Sequence, residues 1–108
     1  MPELPDLPER PTLGDLQRYV GAVCQERGWT DPPAVKFMLF VEEVGELAKA
    51  MRKAAGLYEE ASRERNLSVA EELADVLSYL LDLANSYQVD LEAAFRAKEA
   101  LNQSRSWE

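Results

Sequence analysis

Apolar residues recur at helical intervals through almost the whole chain, and no stretch alternates with the period of two that a strand requires. Leu13, Leu16, Val20 and Val23 form one such stripe, and Val35, Leu39, Phe40, Val44, Leu47 and Met51 form a second. Val69, Leu73, Val76, Leu77, Leu80, Leu81 and Ala84 form a third, and Leu91, Ala94, Phe95 and Leu101 a fourth. Punctuation falls between them. Thr12 suits an N-cap and Gly28 a C-terminal stop, while Asp31-Pro32-Pro33 reads as a helix start. Ser68 with Glu71 makes a capping box, and Asp90 caps the last helix. The pattern predicts helices from Thr12 to Gly28, Pro33 to Ala55 or Gly56, Val69 to Tyr87, and after Asp90.

Four helices with short connections predict an all-α protein, an antiparallel four-helix bundle with the second and third helices side by side. Residues 1–11 hold four prolines and read as an extended arm, so one domain spans 12–108. Tyr58 to Asn66 is polar and reads as a loop or a frayed extension. The third helix is apolar around much of its girth, which predicts a central position and a homo-oligomer that buries the excess.

Charge and cysteine content narrow the function. The net charge is −8, from 20 acidic and 12 basic residues, which argues against nucleic-acid binding or an anionic membrane surface as partner. The single cysteine, Cys24, permits no internal disulfide and points to a reducing, cytoplasmic setting. Neither a secretory signal nor a membrane-spanning run is expected. Histidine is absent, so triads and His-based zinc sites are excluded.

The acids are not evenly spread. Glu43 and Glu46 are three residues apart on the second helix, and Glu72 and Asp75 repeat that spacing on the third. Glu42/Glu46 and Glu71/Asp75 are like-charge pairs one turn apart, each costing about 0.2–0.5 kcal/mol on an isolated helix. Two readings follow: solvated surface charge, or a cage of oxygen ligands for Mg²⁺ or Mn²⁺ between two packed helices. Gly45 sits among these acids at a cost of about 1 kcal/mol relative to Ala, which marks a place for close approach by a neighbouring helix or a ligand.

The run Glu42-Glu43-Val44-Gly45-Glu46-Leu47 with Glu72-Leu73-Ala74-Asp75 resembles the E-E-x-x-E…E-x-x-D signature of the MazG-like all-α nucleoside triphosphate pyrophosphohydrolases. Glu26-Arg27-Gly28-Trp29 resembles the segment before that signature, and Lys98, Asn102 and Arg105 the family's C-terminal K-x-x-x-N-x-x-R. The resemblance covers about residues 13–107. It implies metal ligation by Glu43, Glu46, Glu72 and Asp75, with Glu42 orienting or deprotonating the attacking water. It further implies cleavage of the α–β phosphate bond of a nucleoside triphosphate to a monophosphate and pyrophosphate, by a homodimer or homotetramer. Phosphoryl transfer of this kind needs positioning and charge neutralisation rather than a covalent nucleophile.

The chain departs from relatives in two places. Ser68 stands where some members have a lysine, so basic contacts to phosphate must come from elsewhere: Lys53, seven residues after Glu46, or Lys98 and Arg105. Tyr79, one turn after Asp75, resembles a base-stacking aromatic of the dCTP pyrophosphatase branch, but Ala50-Met51-Arg52-Lys53 replaces that branch's second aromatic motif. Two other readings stay open at this stage. One is a non-enzymatic helical module binding metal or nucleotide or serving assembly; the other is a phosphoribosyl-ATP pyrophosphohydrolase.

Overall fold

The computed structural model describes residues 4–57 and 68–105. Tyr58 to Asn66, which reads as a loop or a frayed extension, lies outside the described residues. Four helices are present: α1 (Leu13–Arg27), α2 (Pro33–Ala54), α3 (Val69–Ser86) and α4 (Leu91–Gln103). No strand occurs among the described residues, so the fold is all-α as the periodicity predicts.

The boundaries have local causes. Thr12 Oγ1 accepts from the Asp15 N–H at 3.0 Å, and Asp15 returns a carboxylate to the Thr12 N–H at 2.9 Å. This reciprocal box satisfies two amides that the first turn would leave without partners. Gly28, at φ 70°, closes α1 in the left-handed conformation that glycine takes without strain. Pro33 opens α2, where its missing N–H costs nothing. Ser68 Oγ accepts from Glu71 N–H at 3.3 Å, and Asp90 Oδ1 from Ala93 N–H at 3.1 Å.

The chain forms two compact units. One comprises residues 1–30 and 81–108, with Cys24, Leu81 and Ala84 buried in it. Its least expected core member is Gln17, which is also buried. The Gln17 amide donates to the Val89 carbonyl and accepts from the Leu91 N–H at 3.1 Å, while Asn85 donates to the Gln17 backbone carbonyl at 3.0 Å. A glutamine so bonded satisfies polar groups of the α3–α4 turn that would otherwise be costly to bury. Gly21 lets the Asn85 amide in: an added Cβ would lie 3.2 Å from its nitrogen.

The other unit comprises Asp31–Leu80, with α2 and most of α3. Helix α2 has two apolar sides. Val35, Leu39, Leu47 and Ala50 occupy the inward one, together with Glu43 and Glu46, and all are half-buried or buried. Phe37, Met38, Val41, Val44 and Met51 are exposed. Val44 and Met51 thus leave the single stripe read from sequence and join the outer side. On α3, Leu73, Leu77 and Leu80 are likewise exposed, whereas Val76 is half-buried and Glu72 fully so. The predicted wide apolar face is real, but much of it is exposed among the described residues.

Candidate active site

The inward positions of α2 and α3 carry acids where a purely structural helix would place leucine. Glu72 is 2 % exposed, Glu43 and Glu46 are half-buried, and Asp75 and Glu42 are exposed. One carboxylate oxygen from each of Glu43, Glu72 and Asp75 lies within 4.8 Å of the other two. All five acids line one open cleft of about 650 Å³ with Gly45 and Lys49.

The electrostatics of this arrangement are adverse without a cation. Burial pushes the Glu43 carboxyl above its usual range, and the negative charges of Asp75, Glu72, Glu46 and Glu42 push it further. A divalent ion reverses the sign of that interaction. The donor set fits one: all oxygens are hard, as Mg²⁺ and Mn²⁺ prefer. Two oxygens on one Mg²⁺ are at most about 4.2 Å apart at bond lengths of about 2.1 Å. The observed 4.8 Å spread therefore closes with small rotations of side chains.

The other predicted residues divide. Lys53, on α2, is exposed and does not line the cleft; Tyr79, on α3, is half-buried and also lies outside its lining. Lys98, Asn102 and Arg105 belong to the other unit. Trp29, of the segment before the signature, is 50 % exposed, with the Arg27 guanidinium 5.0 Å from its ring centroid. Beyond its own helix backbone and chain neighbours, Gly45 meets no atom within 4 Å where a Cβ would stand, so no neighbouring helix among the described residues accounts for it. The residue missed from sequence is Lys49, the one basic side chain among those lining the cleft. Its spacing of three from Glu46 places it on the acid face, as a spacing of seven places Lys53, and only the cleft lining separates the two.

Comparison with known proteins adds the chemical identity. The MazG nucleotide pyrophosphohydrolase domain model matches residues 36–105, which hold every acid of the cleft. Human dCTP pyrophosphatase 1 is 37% identical over 101 residues, 88% of this chain, which spans 59% of the human protein's length. The dATP/dGTP diphosphohydrolase of Cyanophage S-2L is 33% identical over 96 residues, 89% of this chain and 78% of the phage protein. The solved Cyanophage S-2L MazG-like pyrophosphohydrolase, bound to dGDP and three catalytic Mn²⁺ ions per active site, superposes with a TM-score of 0.65 at 33% identity. That match covers 90% of this chain and 83% of the phage chain. The iMazG structure from Vibrio DAT 722 gives a TM-score of 0.64 at 33% identity, covering 90% and 99%. Helical fold, converging acids and family model agree: the chain belongs to the MazG family of nucleotide pyrophosphohydrolases and is a hydrolase of that class.

Proposed function

We propose that Glu43, Glu46, Glu72 and Asp75 hold the catalytic metal and that Glu42 handles the attacking water. The observation that carries this reading is the convergence of Glu43, Glu72 and Asp75 from two helices, with Glu72 almost fully buried. Bound Mg²⁺ or Mn²⁺ would neutralise phosphate charge and make the water more acidic. Glu42 is exposed on the cleft wall, next in sequence to the ligand Glu43, so its carboxylate can take the water's proton. The α–β anhydride of a nucleoside triphosphate breaks, giving a monophosphate and pyrophosphate. The names of the human and phage relatives favour deoxynucleoside triphosphates as the substrate class.

The assembly is a homodimer or homotetramer in this reading. Supporting it, the exposed residues Phe37, Val41, Val44, Ala48 and Met51 follow one another on α2 in alternating steps of four and three. That is the seam spacing by which helices of separate chains pack. Among the described residues no helix is long and apolar enough to cross a membrane. A reducing cytoplasm suits the lone, buried Cys24.

The test is turnover of purified protein against a panel of ribo- and deoxynucleoside triphosphates with Mg²⁺ or Mn²⁺, identifying products. Release of monophosphate and pyrophosphate supports the reading. Absence of both across the panel, modified nucleotides included, overturns it. Glu46→Gln tests the ligand assignment, which fails if turnover survives in a protein of undiminished helicity.

A further inference from the structure

Five carboxylates line the cleft, and a nucleoside triphosphate adds about four more negative charges at neutral pH. Ions held by the acids would balance charge where acids and phosphates meet. The terminal phosphate of a substrate bound there would gain from a cation of its own.

Lys49 stands where such a cation is needed. It lines the cleft and is half-buried there. It follows Glu46 by one turn, so it marks the end of the acid row along α2. Helical side chains lean toward the N-terminus, which carries Lys49 back over the turn bearing Gly45 and Glu46. At Gly45 the space beside the helix is open for 4 Å around an added Cβ. A bare stretch of helix flanked by an ammonium accepts a phosphate chain; a nucleoside, which is uncharged, gains nothing from the ammonium. Lysine binds phosphate as a point charge and needs no fixed fork geometry.

We infer that Lys49 binds the β- and γ-phosphates of the substrate, the portion released as pyrophosphate, with that chain lying over Gly45. The inference rests on the pyrophosphohydrolase reading above. In the reaction water supplies oxygen to phosphorus, the bridging P–O bond breaks, and the water's proton passes to Glu42. Lys49 takes no part in the bond changes and only pairs with the phosphate charge.

Product inhibition separates the two ends of the substrate. The nucleotide turned over best in the panel is used, at constant free Mg²⁺, with inorganic pyrophosphate and the matching monophosphate as inhibitors. Lys49→Gln should raise the inhibition constant of pyrophosphate about tenfold and leave that of the monophosphate unchanged. Lys49→Arg, which keeps the charge, should restore most of the pyrophosphate affinity and so distinguishes lost charge from lost folding. Equal changes in both constants, or no change in either, overturn the assignment. Wild-type turnover with an unaltered pyrophosphate constant in Lys49→Gln removes Lys49 alone. A wild type that releases pyrophosphate from no nucleotide removes the reading on which it rests.

Discussion

Glu43 on α2 and Glu72 on α3 bring carboxylate oxygens within 4.8 Å of each other, and Glu72 is 2 % exposed. Two like charges in that relation are a standing cost to the fold unless something positive lies between them. Glu72→Gln keeps the shape and removes one charge. The metal-free variant should be at least as stable as wild type in thermal melts, while turnover falls on the order of a hundredfold or more. A variant that loses stability and keeps activity would contradict the ligand role.

Metal should stabilise the protein measurably. An ion that binds only the folded chain adds about 2.7 kcal/mol at a hundred times its dissociation constant. Melting of metal-stripped protein, titrated with Mn²⁺ or Mg²⁺, should therefore show a concentration-dependent rise. Glu72→Gln and Asp75→Asn should each blunt that rise, because each removes a donor from the cluster.

Gly45 offers a prediction in which stability and activity move in opposite directions. Nothing crowds a Cβ at this position, and its helical setting penalises glycine. Gly45→Ala should stabilise the fold by about 0.5–1 kcal/mol, visible as a raised denaturation midpoint. The added methyl projects into the cleft that Gly45 lines, so KM for the triphosphate should rise. A variant gaining stability with unchanged kinetics would show that the glycine has no ligand to accommodate.

The helical frame was legible because each end carries its own chemistry. Thr12, Gly28, Pro33, Ser68 and Asp90 act within a turn of where they stand in sequence. The acid pairs were legible for the same reason, since a spacing of three fixes a shared helix face. What sequence did not disclose is tertiary. Gln17 reads as an ordinary polar residue, yet its bonds run to Val89 and Leu91, which no local pattern links to it. Nor can a wide apolar face say which side is covered: Leu73 is 52 % exposed and Leu81 is 1 % exposed on one helix. Lys53 and Lys49 share a face with Glu46, and only the cleft lining singles out Lys49.

Acid should weaken the start of α1 in a defined direction. The Thr12 backbone N–H and hydroxyl, with Arg18 at 2.6 Å, hold the Asp15 carboxyl below its usual 3.8. A carboxyl lowered by folding contributes stability above its unfolded pKa and loses it as pH falls through the folded one. Asp15→Asn should therefore melt earlier than wild type at neutral pH. The gap should shrink below pH 3.8 and close once wild-type Asp15 is protonated. A gap independent of pH would assign the effect to geometry rather than charge.

The exposed side of α2 predicts concentration-dependent association. Phe37, Val41, Val44 and Met51 are each at least 41 % exposed, and they line up at seam spacing. A lone helix face of this kind favours self-association. Val41→Glu would place a charge in the middle of that seam, where burial without a partner costs about 3 kcal/mol or more. Sedimentation should show wild type as a dimer or tetramer and Val41→Glu shifted toward monomer, with its helicity unchanged. Val41 lies off the acid cleft, so any fall in turnover would have to come through assembly. Unaltered activity in a monomeric Val41→Glu would mean that one chain holds a complete site.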